Sequence, residues 1–153
     1  MTQDHSSPTG PVVFAYDGSA LAKIAIDEAG RQLASRRSAL VLTVWQPFDV
    51  GFVPAVGLQL NAAEAVDVRS AAERTAAQGA ALAQAAGFEA RSAAAEAQPT
   101  WKGIVQVADE HDASLIVLGS HGQTGFAGVL IGSVAKAVAA HAQRSVLIVH
   151  RRD

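Results

Sequence analysis

"SLIVLGSHGQTGFAGVLIGS", residues 114–133, decides the fold of this chain. It opens on a continuous apolar run, the pattern of a strand covered on both faces in a parallel sheet. Five glycines follow, at Gly119, Gly122, Gly125, Gly128 and Gly132, and Ser133 comes directly after the last. Glycine loses more backbone freedom on folding than any other residue, so a dense cluster implies positive φ angles or something pressed against the backbone. The cluster ends where a helical pattern begins, predicting a helix over about 132–141. A helix start offers unpaired N–H groups and the positive end of its dipole. A strand, a glycine loop and a helix start bearing a hydroxyl together suit a phosphate chain.

Outward from this unit, strand and helix patterns alternate. "PVVFAY" (11–16) predicts a first strand, with the proline at its first position. "DGS" then turns the chain, and Asp17 or Ser19 can cap a helix in which Leu21, Ile24, Ala25, Ala29 and Leu33 share a face. "ALVLTVW" (39–45) is a second, wholly apolar strand. The segment 46–60, "QPFDVGFVPAVGLQL", reads as a long loop, and its apolar part 48–58 as a lid or partner patch. Asn61 and Glu64 resemble a capping box before an alanine-rich helix that Gly87 stops near residue 86. "FEARSAAA" (88–95) is a weaker third strand. Pro99 and Thr100 open a helix expected to bury Trp101, Ile104, Val105 and Ala108, and "SVLIVH" (145–150) makes a fifth strand. Alternation of this kind requires crossover connections, which are right-handed in nearly all cases. The expected fold is an α/β doubly wound sandwich around one five-stranded parallel sheet.

Bulk properties narrow the function. The 153 residues suit one domain, with 50% hydrophobic and 17% charged residues. The formal net charge is −2 with no basic stripe, which argues against nucleic acid as partner. There is no cysteine, hence no disulfide. No apolar run reaches membrane-spanning length, and the polar start "MTQDHSSPTG" is unlike a signal sequence, so a cytoplasmic protein away from membranes is expected. The expected division is a flexible tail over 1–10, a domain over 11–150 and a short tail over 151–153. The histidines show no H-x-x-x-H spacing, so no metal site of the protein's own is expected.

The phosphate-binding pattern is neither G-x-x-x-x-G-K-[ST] nor G-x-G-x-x-G, since neither occurs. What occurs is G-x2-G-x9-G-S, at Gly119, Gly122, Gly132 and Ser133. Flanked by "VVFAYDGS", "LTV" and "GSVAKAV…SVLIV", this resembles the universal stress protein family over essentially residues 11–150. The resemblance implies a sheet ordered 3-2-1-4-5, Rossmann-like and similar to the adenine nucleotide α-hydrolases, and binding of ATP with Mg2+ on its phosphates. Carried over by position, Asp17 and Val44 would sit at the adenine and ribose end. Leu118 would shape the pocket, and Gly119 would approach the ribose and α-phosphate. Gly122, Gly132, Ser133 and the Val134 amide would hold the phosphates, with His121 beside them. Ser120, Thr124 and Ser133 stand near enough to be phosphoacceptors. The chain departs from the family at Ala15, where proline is common, and at Gln143–Arg144–Ser145, where many members have a proline-rich turn.

The resemblance implies a nucleotide-dependent stress regulator, with at most slow ATP hydrolysis or autophosphorylation and no catalytic residues assigned. It also implies a homodimer through the last strand, at Val146, Leu147, Ile148 and Val149. Three other readings remain open. A cyclic nucleotide such as cAMP can use the same helix start. A dimeric interaction module would need no nucleotide. An adenylate-forming enzyme is disfavoured because its H-x-G-H and S-G-G-x-D-S signatures do not occur.

Overall fold

The computed structural model describes residues 10–47, 62–122 and 131–152. Nine elements alternate: β1 (Val12–Ala15), α1 (Ala20–Gln32), β2 (Ser38–Trp45), α2 (Ala62–Ala85), β3 (Glu89–Glu96), α3 (Thr100–Glu110), β4 (Leu115–Gly119), α4 (Ser133–His141) and β5 (Ser145–Val149). The five strands form one sheet in the order β3-β2-β1-β4-β5, and every pairing is parallel. This is the expected doubly wound α/β fold.

Position in the sheet explains strand composition. β1 and β4 lie inside the sheet, and Val12, Val13, Phe14, Ile116 and Val117 are buried. β3 is an edge, which accounts for its polar "EARSAAAE" and half-exposed pattern. α1 and α2 cover one face, packing on Val12, Phe14, Tyr16, Val41 and Val117. α3 and α4 cover the other, over Val13, Leu40, Leu42, Ile116 and Leu118.

Two helix faces differ from expectation. α1 buries Ala22, Ala25, Ile26 and Ala29, while Ile24 and Leu33 flank the core partly buried. α3 buries Gly103, Ile104, Val107 and Ala108 rather than Val105. Gly103 sets that rotation, because a Cβ there would stand 2.7 Å from Ala97 Cβ and 3.1 Å from Val44 Cγ1. The missing side chain lets α3 lie directly on β2. Trp101 is partly buried, its ring stacked on His141 at 4.2 Å. Asn61 and the loop 48–60 lie outside the described residues, as do Thr124, Gly125 and Gly128.

The turn before β5 is held by Arg144, which donates to Asp109 Oδ1 (3.0 Å), Asp112 Oδ1 (2.8 Å) and the Ala113 carbonyl (2.8 Å). It ties this turn to the end of α3 and the α3–β4 turn. β5 is the second edge of the five-stranded sheet. Val146 and Ile148 are partly buried on the α3–α4 face and Leu147 on the α1 face. Val149 is 6% exposed and joins the core cluster under α1 and α2.

Candidate functional site

The site forms where the carboxyl ends of β1 and β4 lie side by side. Chains leaving two adjacent strands toward opposite faces open a crevice there. β1 departs toward α1 and β4 toward α4, on opposite faces of the sheet.

The β1 side is rigid. The Tyr16 amide donates to the Leu42 carbonyl (2.8 Å), and the Tyr16 carbonyl accepts from the buried Thr43 hydroxyl (2.8 Å). Gly18 takes φ 80°, a left-handed conformation that glycine adopts without strain. Ser19 is the N-cap of α1 and accepts from the Ala22 amide (3.2 Å). Asp17 Oδ1 accepts from the Ser19 amide (2.9 Å), which fixes an exposed carboxylate at the strand end. Of the two expected caps, then, Ser19 caps the helix and Asp17 supports the turn.

On the β4 side the backbone comes close to its neighbours at each motif glycine. A Cβ on Gly119 would stand 2.9 Å from Leu21 Cγ, so this glycine lets α1 approach the strand end. A Cβ on Gly122 would stand 2.7 Å from Asp17 Oδ2, so the two loops meet there. The Gly132 amide donates to the Ser120 carbonyl (2.6 Å), and a Cβ on Gly132 would stand 3.1 Å from that oxygen. Gly132 is thus the N-cap of α4, with no side chain capping the helix. The amides of the first turn are left for a ligand or water. Ser133 and Val134, the first two residues of α4, are both exposed.

His121 completes this corner. Its Nδ1 lies 3.0 Å from Ser120 Oγ, and its Nε2 is the one buried side-chain nitrogen or oxygen without a hydrogen-bond partner among the described residues. Ser120 is 2% exposed, so its hydroxyl faces its neighbour rather than solvent.

The structure therefore brings together Asp17, Gly119, His121, Gly122 and Gly132, with Ser133 and Val134 following on α4. Leu118 and Val44 stand differently. Leu118 is buried in the core under α3 and α4. Val44 lies two strands from β4 at the end of β2, packed partly against Gly103. Sequence reasoning missed Tyr16 and Thr43, whose bonds hold Asp17 in place. A lone threonine in the apolar run 39–45 was the available signal. Among the described residues no group of three histidines and carboxylates can hold a metal ion, and no helix is long and apolar enough to cross a membrane.

Burial, and after it the charge of Asp17, raises the Tyr16 phenol above its ordinary value near ~10. The neutral phenol is favoured in the folded state. The associated stability is fully present below that ordinary value and is lost as pH rises through the raised one. Tyr16 is the chain's single tyrosine, so tyrosinate absorbance reads it alone. Its midpoint is expected above that of unfolded chain, and Asp17→Asn is expected to lower it in part. A midpoint matching unfolded chain would contradict the burial.

Comparison with known proteins agrees with the fold. The model of the universal stress protein family matches residues 9–150. A universal stress protein of Mycolicibacterium smegmatis is 33% identical over 150 residues, covering 93% of this chain and 46% of that protein. The chain thus spans about half the length of the curated relatives it matches. The solved structure of a Methanocaldococcus jannaschii universal stress protein shares the fold at TM-score 0.75 and 21% identity, covering 95% of this chain and 99% of the other. A universal stress protein crystallised with cAMP is 28% identical at TM-score 0.67, covering 94% and 98%.

Proposed function

This chain belongs to the universal stress protein family, and from that premise we propose that it is a cytoplasmic, ATP-binding regulator whose contacts with partners change when nucleotide is bound. One observation carries the reading most directly. At the junction of β1 and β4, two glycines let the loops close against Asp17 and the Ser120 carbonyl, and the buried His121 Nε2 beside them has no hydrogen-bond partner among the described residues. A phosphate chain is the ligand whose oxygens suit an uncapped helix start and an idle ring nitrogen.

In this reading the amides at Ser133 and Val134 and the ring of His121 bind phosphate oxygens, with Gly132 at the turn beneath them, its own amide held by the Ser120 carbonyl. Gly119 and Gly122 admit the ligand close to the backbone, and Asp17 and Val44 face the ribose and adenine. Magnesium arrives with the phosphates and is carried mainly by them. The relative solved with cAMP supports an adenine nucleotide as ligand class and makes cAMP the second reading. The edge position of β5 supports a homodimer through Val146, Leu147, Ile148 and Val149, since an apolar edge strand invites a second strand.

Calorimetry with ATP, ADP, AMP and cAMP in the presence of magnesium tests the proposal. ATP binding in the micromolar range is expected, with loss of at least about tenfold in Gly132→Val, equivalent to roughly 1.4 kcal/mol. Tighter binding of cAMP than of ATP would move the conclusion to cyclic-nucleotide sensing. Absence of heat with all four would leave a dimeric interaction module.

A further inference from the structure

Ser120 is engaged through three of its groups at once. Its amide donates to the Val149 carbonyl (2.9 Å), its carbonyl accepts from the Gly132 amide (2.6 Å), and its hydroxyl lies 3.0 Å from His121 Nδ1. The two backbone bonds anchor the residue between the end of β5 and the start of α4, and the contact with His121 Nδ1 sets its Oγ. His121 Nδ1 is the one partner of that oxygen among the described residues.

The proton in this contact can be placed in two ways. If Nδ1 carried it, Ser120 would accept. The serine's own hydroxyl proton would then be buried without an acceptor, and Nε2 would be a buried acceptor without a donor. If Ser120 donates, its hydroxyl and Nδ1 are both satisfied, and the ring proton of the neutral imidazole resides on Nε2. The second arrangement leaves one unsatisfied group instead of two, and unsatisfied buried polar groups are strongly disfavoured. The ring edge carrying Nε2 also borders α4, since a Cβ on Gly132 would stand 4.0 Å from His121 Cδ2.

We infer that Ser120 is a positioning residue that selects the Nε2–H tautomer of His121, so that the ring presents a hydrogen-bond donor beside the start of α4 without being charged. A neutral ring in this tautomer can donate to an anionic oxygen while Nδ1 stays engaged with Ser120. That the oxygen is a nucleotide phosphate rests on the function proposed above; the tautomer assignment does not.

Nitrogen NMR of the imidazole rings in the full chain tests this, at about pH 8, above the ordinary histidine value near 6.5. The chain has five histidines, and His121 is assigned by the signals that disappear in His121→Gln. The Nε2–H pattern is expected in the parent chain and in Ser120→Thr, which keeps the hydroxyl. A mixture of tautomers is expected in Ser120→Ala. ATP affinity should fall roughly 3- to 10-fold in Ser120→Ala, the scale of one weakened hydrogen bond, and recover in Ser120→Thr. An Nδ1–H pattern in the parent would overturn the inference, as would an undiminished Nε2–H pattern in Ser120→Ala. A changed tautomer with unchanged ATP affinity would overturn the donor role. A parent chain that binds no nucleotide yet shows the expected tautomers would sink the proposed ligand and leave the role of Ser120 standing.

Discussion

Gly122→Val is expected to weaken ATP binding by at least about tenfold, roughly 1.4 kcal/mol, while the melting temperature stays close to that of the parent chain. The two effects separate because of what a side chain at 122 would meet. Gly122 is exposed and is not among the residues with positive φ, so valine there creates no buried void and no left-handed strain. Such surface substitutions usually stay within about 0.5 kcal/mol of the parent. The first new atom, however, would stand 2.7 Å from Asp17 Oδ2, a distance that real Cβ atoms do not tolerate. The carboxylate can swing away cheaply, but it then leaves the Ser19 amide that holds it. Displacing Asp17 therefore alters the crevice without unfolding anything. A double-mutant cycle exposes the route. In an Asp17→Ala background the further loss on adding Gly122→Val should shrink well below its value in the parent, as for any pair acting through one contact. Full additivity would assign the loss to a direct clash with phosphate. Unchanged affinity in both single variants would remove this corner from the site.

That contact also marks the limit of what the chain reveals by itself. Asp17 and Gly122 are far apart in sequence, and they meet only because β1 and β4 are neighbours. Alternation of strands and helices was legible, since β1 and β4 are apolar without interruption, β2 is apolar from Ala39 onward except at Thr43, and each is bounded by turn residues. The strand order was not legible in that pattern; it came from the family resemblance carried by Gly119, Gly122, Gly132 and Ser133. Helix faces were harder. α3 offers Val105 and Val107 on different faces, and the choice turns on Gly103, which has no side chain for a periodicity to count. α2 is so rich in alanine that several faces read alike. Its Gly79 looks like a weak point in a helix, yet a Cβ there would stand 2.7 Å from both the Tyr16 ring and Val41 Cγ1. The glycine is where α2 rests on the sheet, under the tyrosine that precedes Asp17. The Ser120–His121 contact joins adjacent residues, but side-chain direction at a strand end depends on packing that no local pattern encodes.

The largest loss of stability is expected from Phe14→Ala, about 3–5 kcal/mol on the scale of buried aromatic truncations. Phe14 is 1% exposed in the central strand, between Val41 on β2 and Val117 on β4. Its ring meets that of Phe88 edge-to-face, with centroids 5.2 Å apart at 75°. Phe88 follows the end of α2, so this pair joins the middle of the sheet to the chain entering β3. The neighbours cannot close the void easily, because β1 is hydrogen-bonded on both sides and the helices above it pack mostly through alanines, with Ile26 the one large side chain they bury fully in that cluster. For a chain of this size the melting temperature should fall by roughly 6–20 °C, at about 2–4 °C per kcal/mol. Urea unfolding should show a lower midpoint with an unchanged slope. Val66→Ala, at an exposed position on α2, serves as the control and should stay within about 0.5 kcal/mol. A cost for Phe14→Ala below about 1.5 kcal/mol would mean that α1 and α2 collapse onto the sheet, contrary to the packing described. The same variant separates core from site. Measured well below its transition, the folded fraction keeps the Asp17–Gly122 corner, so saturating ATP should raise its melting temperature by an increment similar to the parent's. Gly132→Val should show the opposite behaviour, a melting temperature lowered only modestly by the new Cβ 3.1 Å from the Ser120 carbonyl and raised by ATP much less than the parent's.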